Sequence, residues 1–546
     1  MSRSLGHRAP LLWLVLPFIG GLVAGKLDLA GPPLGLLAAA VPLIGVAWWG
    51  ASRAPRLWAP AIAAGMLCAG GAAYGLHRAR LPAWDSLPAR EAKLSLRVDR
   101  VFVSPDARRA SGLATVLRGE DHLRELAGQR LYFSLALRAG EAAPIRSAEL
   151  ATIGVIVTLP RNPPADTFDG YLAGAGMNFR LTRGRVLAEE RPALPYYRFC
   201  ARAAAWCHAT LGRGIAEKRP ELAGLLRALL LGAKHELSDE QHTLFMRSGT
   251  MHLFAISGLH VGVIAAVIHA LLAMLRLPVG ARFVAGTAAL WLFVDITGAS
   301  PSAVRAFAMV VCLQAAWLLR RPGNPVAALV ASALAVLLVA PLQVFSASFQ
   351  MSYSIVAALL VLGLPLSDAW LARWALWRDL PKAAWRWWQH GADQVWRTGL
   401  AALAIGVATT LVSLLTSVQF FQLLTPAALI ANLALIPAAM VVTLGGFASL
   451  LCGLVGFGPG AVLCNHAAAL VLLAIESLVR AGVQVPGAFL SARFAAPWIG
   501  PTALAALLAT LLAGYALRWQ QRGGGWWPPF ALVALVLLFG VTFGPR

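Results

Sequence analysis

A membrane-length apolar segment with polar residues in its first half constrains this chain most strongly. The segment covers residues 249–276, and its first half carries His252, Ser257, Gly258 and His260. Polar groups in hydrocarbon cost free energy unless they are paired or face water, so lipid-facing helices avoid such clusters. On one continuous helix, His252, Ser257 and His260 would share a broad face. The pattern predicts either a translocation pathway lined by this face or a packed interface in which serine and histidine bond across helices.

The composition predicts a polytopic membrane protein. Hydrophobic residues make up 59% of the 546 residues, charged residues make up 13%, and the mean hydropathy is +0.69. Soluble domains carry about 25% charged residues, so this chain is not one of them. Apolar stretches of roughly 20 residues predict about 11 to 14 transmembrane helices. These stretches lie at about 11–28, 34–50, 57–77, 250–275, 283–299, 302–319, 324–341, 345–364, 398–420, 424–453, 461–479, 498–517 and 529–544.

Charge flanking the first span predicts the orientation of the chain in its membrane. Arg3, His7 and Arg8 precede this span, which indicates a cytoplasmic N-terminus. We expect the span to stay in place as an anchor, because it lacks a small-residue cleavage site and further spans follow closely. Threading the chain from this start places residues 79–247 outside the cytoplasm.

The polar region after the third span predicts a small β-barrel. Apolar residues alternate in AKLSLRVDRVF and RLYFSLALR, and further strands fit residues 112–117, 153–158 and 178–186. Five short strands within roughly 95 residues are typical of a barrel of the oligonucleotide/oligosaccharide-binding (OB) type. The expected fold is therefore an all-α membrane protein with an inserted OB-like barrel.

Basic and aromatic residues of this barrel are candidate contacts for single-stranded DNA. The net charge of the chain is +22, and positive-inside loops do not account for arginines in a long translocated domain. A polyanionic partner would account for them, although a basic face against lipid headgroups is an equal alternative. Arginine contacts phosphates and aromatic rings stack on bases. The candidates are Arg97, Arg100, Arg108, Arg109, Arg130, Tyr132, Phe133, Arg180, Arg183 and Arg185.

We divide the chain into four regions. Residues 1–78 form N-terminal transmembrane helices, and residues 79–192 form the barrel. Residues 193–247 form amphipathic helices expected at the membrane surface, because tyrosine and phenylalanine there alternate with arginine. Residues 248–546 form the main transmembrane domain.

A second polar constellation interrupts two apolar spans at residues 295–305. It contains Asp295, Ser300, Pro301, Ser302 and Arg305 around a Gly-Ala-Ser-Pro break. A discontinuous helix exposes backbone polar groups that only protein or a cavity could satisfy.

Two roles remain open for Arg305, which lies one turn inside the next span. It could pair with Asp295, or it could present its charge to phosphates along a pore. Gln350 and Asn432 are further intramembrane polar residues that could line the same pathway or bond between helices.

Long segments of the chain resemble the ComEC family of bacterial competence proteins. The first is ELAGLLRALLLGAKHELSDEQHTLFMRSGTMHLFAISGLHVGV from residue 221. It is followed in family order by DITGASPSAVRAFAMV, RRPGNPVAAL and VFSASFQMSYSIVAALL, and NPPADTFDGYLAGAGMNFRL precedes it. The resemblance covers nearly the whole chain.

The resemblance implies an inner-membrane channel that imports single-stranded DNA during natural transformation. It also implies membrane lipids, an outer DNA receptor, a cytoplasmic translocase ATPase and single-strand-binding proteins as partners. Many relatives add a C-terminal metallo-β-lactamase-like nuclease domain, which we expect to be missing because no HxHxDH pattern occurs among the eleven histidines. A separate nuclease would then be needed, and this chain would not be an enzyme.

Other features predict neither a cofactor nor an energy source in the chain. The histidines lack i,i+3 or i,i+4 pairs, and no GxxxxGK[ST] phosphate loop is present, so we expect no metal, cofactor or ATPase site. Tryptophan and basic residues in 365–397 indicate an interfacial anchor or a stacking platform for an emerging strand.

Two rival functions come from other classes. One is a secondary transporter or exporter of another anionic or lipid-linked substrate, which an inverted repeat would support. The other is a membrane-embedded hydrolase using Ser257 and His260, for which no third orienting group is evident.

Overall fold

The computed structural model confirms an α-helical, multi-pass membrane fold with a closed five-stranded barrel near its N-terminus. Nine helices among the described residues are long and apolar enough to cross a membrane, and four shorter apolar helices accompany them. Each of the thirteen predicted stretches overlaps one of these helices. The structure describes residues 10–79, 89–102, 106, 108–138, 140–160, 163–164, 166–256, 258–320, 323–377, 380–517 and 525–544.

Among the described residues, three helices precede the barrel: α1 (Leu12–Lys26), α2 (Pro33–Arg53) and α3 (Pro55–Ala79). Glycine lets α1 and α3 approach closely, because a Cβ atom at Gly21 would lie 2.0 Å from the carbonyl oxygen of Leu67. Small residues at such contacts are typical of helix packing in membranes.

The barrel closes in the strand order β1-β2-β3-β5-β4. Strands β3 and β5 pair in parallel, and every other neighbouring pair is antiparallel. Leu94, Leu96, Leu131 and Phe179 are among the alternating residues that fill its core. The strands are β1 (Arg90–Phe102), β2 (Arg109–Gly119), β3 (Arg130–Ala136), β4 (Glu149–Thr158) and β5 (Phe179–Arg191).

Short helices connect the barrel to the main bundle. A short helix, α4 (Phe168–Gly174), lies between β4 and β5 and begins at the N-cap Thr167, whose hydroxyl accepts from the Gly170 amide. After the barrel come α5 (Pro195–Gly212), α6 (Pro220–Leu231) and α7 (Asp239–Arg247).

In the part of the bundle that the structure describes, eleven further α-helices follow. The first six are α8 (Gly258–Met274), α9 (Val279–Ile296), α10 (Pro301–Leu318), α11 (Pro325–Val339), α12 (Ala347–Ala358) and α13 (Leu364–Arg373). The last five are α14 (Trp387–Phe421), α15 (Ala428–Leu454), α16 (Gly458–Val483), α17 (Ile499–Leu517) and α18 (Trp527–Phe539).

A three-stranded antiparallel sheet lies at the end of the bundle that faces the barrel, which we term the barrel side. Its strands are β6 (Leu423–Leu424), β7 (Leu490–Phe494) and β8 (Val541–Phe543), in that order. Gln422, next to β6, donates a side-chain hydrogen bond to Asp166 just before α4. The end of α14, the start of α17 and the end of α18 therefore all lie on the barrel side.

Helix α5 runs along the bundle. Near its start, the Tyr196 hydroxyl donates to Asp295 at the end of α9 over 2.9 Å. At its other end, Asn465 near the start of α16 donates to the carbonyl oxygens of Thr210 (2.9 Å) and Arg213 (3.1 Å). Asn465 therefore fixes the end of α5 against α16 through one carbonyl in the last turn of the helix and one just beyond it.

The prediction of one continuous helix over residues 250–275 is wrong. Residues Met251–Phe254 form a separate 3₁₀ turn, and α8 begins at Gly258. Gly249 adopts φ +71°, which reverses the chain before the turn. His252 therefore lies ahead of α8 and does not share a helical face with His260.

Gly249→Ala is expected to lower the free energy of unfolding by about 1–3 kcal/mol, because a side chain there meets both a left-handed backbone and a close neighbour. Its Cβ atom would lie 2.7 Å from Oγ1 of Thr425. Gly262→Ala in α8 is the control, since nothing lies within 4 Å of that position. Denaturation of both variants in detergent checks the prediction, and equal stabilities would contradict it.

Candidate functional site

A cavity of about 680 Å³ lies between the barrel and the barrel-side ends of α10, α11 and α12. Residues of β1, β2, β3 and α4 form one wall, and residues at the helix ends form the other. One carboxylate, Asp99, is among the lining residues. We refer to the site as the arginine cavity because five arginines line it: Arg97, Arg100, Arg130, Arg146 and Arg305.

A β-bulge in β1 directs charged residues toward the arginine cavity. The register with β2 shifts between Val98 and Arg100, so Asp99 is an extra residue in β1. Bulges re-aim side chains in this way. Thr115 Oγ1 donates to Asp99 Oδ2 over 2.6 Å, and Arg130 Nε lies 3.8 Å from the same oxygen. The carboxylate of Asp99 is therefore already engaged by two partners from the barrel.

Arg100 lies among aromatic rings and other cations. Its guanidinium is 5.3 Å from the centre of the Phe102 ring. Burial lowers the pKa of Arg100, and although the Tyr171 hydroxyl opposes this change, the nearby Arg146 guanidinium lowers the pKa further. Its Nε atom is buried without a hydrogen-bond partner among the described residues. The protein thus holds Arg100 where an added anion would stabilise its charged form.

The turn between α9 and α10 forms the opposite wall. The Gly298 amide donates to the Asp295 carbonyl over 3.1 Å, and the Ala299 amide donates to the Val294 carbonyl over 2.8 Å. These two bonds form a Schellman motif, with Gly298 at φ +82° and Ala299 at φ +47°. The Gly-Ala-Ser-Pro break recognised in the sequence is this motif.

Two helices begin at the arginine cavity. The Ser300 hydroxyl caps α10 by accepting from the Ala303 amide over 3.3 Å. The Ser346 hydroxyl caps α12 by accepting from the Phe349 amide over 3.2 Å. Pro301, the residue after Ser300, lines the arginine cavity. Because each helix N-terminus carries roughly half a positive charge, both helices add to the positive potential of the arginine cavity.

Arg305 is buried at the base of the arginine cavity, with 1% of its surface exposed. Its Nη2 atom donates to the backbone oxygen of Ser348 over 2.7 Å and to Ser348 Oγ over 2.6 Å. The Nε and Nη1 atoms are buried and have no hydrogen-bond partner among the described residues. A buried guanidinium without a carboxylate is costly unless an anion or water completes its hydrogen bonds.

Asp295 pairs with the barrel and not with Arg305. Arg146 Nη1, in the loop between β3 and β4, lies 2.8 Å from Asp295 Oδ1. The Tyr196 hydroxyl donates to the other carboxylate oxygen over 2.9 Å. Arg146 also lies 4.7 Å from the centre of the Tyr197 ring. The sequence left two roles open for Arg305. One of them, an ion pair with Asp295, is not formed in the structure.

Other predicted pathway residues lie apart from the arginine cavity. His252 is exposed, with Nδ1 3.1 Å from the Gly249 carbonyl oxygen, and Gly258 is exposed at the start of α8. His260 is buried within α8. Ser257 lies outside the described residues. A pathway role for these residues stays a prediction.

Three more predicted residues lie in first turns of helices. Ser302 follows Pro301 in α10. Gln350 in α12 donates from Nε2 to the Val344 carbonyl oxygen over 3.0 Å, and its Oε1 atom is buried. Asn432 is half-buried near the start of α15. Their place in a pathway also stays a prediction.

The barrel candidates divide into three groups. Arg97, Arg100 and Arg130 line the arginine cavity. Tyr132 belongs to an aromatic cluster, with ring centres 6.3 Å from Phe102 and 5.2 Å from Phe168. The remaining arginines lie elsewhere: Arg108 and Arg109 beside Asp106, Arg180 paired with Asp169 at 2.8 Å, and Arg183 and Arg185 exposed on β5.

The expectation that Phe133 stacks on bases is corrected. Its side chain points into the barrel core and is 1% exposed. Phe133 shares its strand face with Leu131 and Leu135, which are buried in the same core. The period-2 alternation of β3 could have shown this from the sequence.

Sequence reasoning missed several residues of the site. Arg146, Tyr197 and Ser348 carried no signal, because each comes from a different part of the chain and only the fold brings them together. Asp99 could have been predicted from the sequence, because it lies between the candidate residues Arg97 and Arg100 in β1.

Comparisons with known proteins identify the family to which this chain belongs. The sequence model of the Competence protein family matches residues 229–521, which are 293 of the 546 residues. ComE operon protein 3 of Bacillus subtilis (strain 168) is 32% identical over 142 residues, which are 26% of this chain and 18% of that protein. No solved structure matches the chain significantly. Because the family match covers more than half of its length, this chain belongs to the Competence protein family.

Proposed function

We propose that the protein is an inner-membrane channel that imports single-stranded DNA during natural transformation, and that the arginine cavity is where the strand enters the membrane domain. The observation that carries this proposal is the set of five arginines around a cavity between the barrel and the helix ends. Membership of the Competence protein family supports it.

The size of the arginine cavity favours a single strand over a duplex. A round cavity of about 680 Å³ would be about 11 Å across, whereas one major groove of B-DNA is already about 12 Å wide. In B-DNA one strand carries one phosphate per about 3.4 Å of helix axis, and neighbouring phosphates of an extended single strand lie farther apart, so no more than about two of them could lie among the arginines at once.

The charge of the site supports a polyanionic cargo. Clefts lined by one sign of charge concentrate ions of the opposite sign and accelerate their association. Beyond the cavity, we propose that His252, His260, Gln350 and Asn432 line the pathway through the bundle. The barrel would then face the periplasmic side, where a DNA receptor and a nuclease supply the strand, and a cytoplasmic ATPase would draw it inward.

The test is uptake of labelled double-stranded DNA by a naturally competent host lacking the gene. We expect the label to accumulate outside the inner membrane in the deletion strain and to enter the cytoplasm again when the wild-type chain is restored. DNA outside and inside is counted separately after nuclease treatment of intact cells. Cytoplasmic entry that does not depend on the gene would contradict the proposed function.

A further inference from the structure

We propose that the base of the arginine cavity is a binding site for one phosphodiester group, held by Arg305 under the N-termini of α10 and α12 and approached from the barrel by Arg100. The assignment of a DNA strand as the source of this group rests on the proposed function. The existence of the site rests on the geometry alone.

The first argument is the incomplete shell of Arg305. Only Nη2 is bonded, to Ser348, and this leaves the Nε and Nη1 hydrogens without acceptors among the described residues. The Nε–H and Nη1–H groups lie on different edges of the guanidinium, and each can donate a charge-assisted hydrogen bond to a phosphate oxygen. A phosphate oxygen that accepts from either group would supply a missing acceptor to a side chain that is 99% buried.

The second argument is that both nearby carboxylates already have partners. Asp99 accepts from Thr115 and faces Arg130. Asp295 is held by Arg146 and Tyr196. Neither is placed to neutralise Arg305 or Arg100, so within the described part of the chain the positive charge at the base of the arginine cavity has no carboxylate partner and favours an added anion.

The third argument comes from the helix termini. Helices α10 and α12 have 18 and 12 residues, and their first residues reach the arginine cavity beside Arg305. Helix N-termini favour anions, and phosphate is a frequent ligand at such positions. The hydroxyl groups of the capping residues Ser300 and Ser346 accept hydrogen bonds from backbone amides of their own helices. These two hydroxyl groups therefore do not bind the guanidinium of Arg305.

The chemistry selects a phosphate group carrying a single charge between two ester links. Such a group occurs in a DNA strand and in a phospholipid headgroup. We assign the DNA strand, because the arginine cavity is shared with an OB-like barrel wall that presents Tyr171 beside Arg100, and barrels of this type bind oligonucleotides.

Binding of a dinucleotide with one phosphate tests the site directly. The full chain is placed in nanodiscs of neutral lipid and titrated with the thymidine dinucleotide joined by one phosphodiester, and then with its uncharged methylphosphonate analogue. We expect the charged dinucleotide to bind the wild type at least about tenfold more tightly, as a charge-assisted hydrogen-bond pair would provide. Equal binding of the two compounds by the wild type would overturn the proposal.

Variants locate the site. Arg305→Met is expected to abolish the preference for the charged compound, Arg305→Lys is expected to keep part of it, and Arg118→Met, at an exposed arginine of β2, is expected to keep all of it. If Arg305→Met fails to fold, the wild type and Arg305→Lys still decide the matter. A full preference in Arg305→Lys and Arg305→Met would overturn the role of Arg305.

Two further comparisons distinguish a DNA phosphate from a lipid headgroup, and the phosphodiester site from the proposed channel function. If anionic lipid in the nanodisc removes the preference that neutral lipid allows, the occupant is a headgroup and the assignment to DNA is overturned. If the preference depends on Arg305 but transformation does not, the phosphodiester site stands and the proposed function fails.

Discussion

Transformation is expected to fall roughly 10- to 100-fold when Arg305 is replaced by alanine, because one charged donor set at the entrance is lost and charge-assisted hydrogen bonds contribute about 1.5–3 kcal/mol. The side chain is buried, is anchored on Ser348 and has two nitrogen atoms free for an incoming phosphate. Transformation frequency in a deletion strain that carries each variant measures the effect.

The control for this prediction is Arg118→Ala, which removes an arginine from the same protein at an exposed barrel position. It should leave transformation within about twofold of the wild type, because isolated surface charges contribute little. Arg305→Lys should give an intermediate frequency, since lysine keeps the charge but not the planar fork. Protein levels in the membrane must match, and normal transformation with well-expressed Arg305→Ala would refute the role given to Arg305.

Replacing Asp295 by alanine is expected to lower the free energy of unfolding by about 2 kcal/mol, because Arg146 and Tyr196 lose their common acceptor. The carboxylate is 1% exposed, whereas the Arg146 side chain is 35% exposed. Solvent around Arg146 screens the pair, so the loss should be smaller than for a fully buried ion pair.

A double-mutant cycle isolates the contact between the barrel and the bundle. Arg146→Ala, Asp295→Ala and the double variant are compared by denaturation in detergent. We expect a coupling energy of about 1–2 kcal/mol, as found for directly bonded charged residues. Arg191→Ala is the matched control, because it removes an exposed arginine of the barrel that lies near Glu149. Strictly additive losses at Arg146 and Asp295 would mean that this pair does not join the two parts.

Much of the fold follows from local pattern. Apolar stretches predict membrane helices because backbone groups in hydrocarbon must bond within their own segment, and alternation predicts strands because their side chains alternate between faces. The five strands and every apolar stretch therefore have counterparts in the structure. The interruption between Phe254 and Gly258 lies inside the predicted span of residues 250–275, and hydropathy does not register it because the residues around it are mostly apolar.

Sequence analysis found residues of the site that stand out within their own segment, but not the contacts between distant segments. Asp295 and Arg305 stood out because a charge within an apolar span is conspicuous. The partner of Asp295 is 149 residues away, at Arg146 in a barrel loop. No local pattern encodes a contact of this kind, since it depends on how the barrel sits on the helix ends.

The length of α14 has a mechanical consequence. Its 35 residues extend about 52 Å, whereas the hydrocarbon core of a bilayer is about 30 Å thick. Its last residue, Phe421, leads directly into the sheet beside the barrel, so the surplus of roughly 20 Å emerges on the opposite face with Trp387 and Trp388. The helix is unbroken over this length. One unbroken helix therefore connects the Trp387 end to β6, and Gln422 extends this connection to the barrel segment at Asp166.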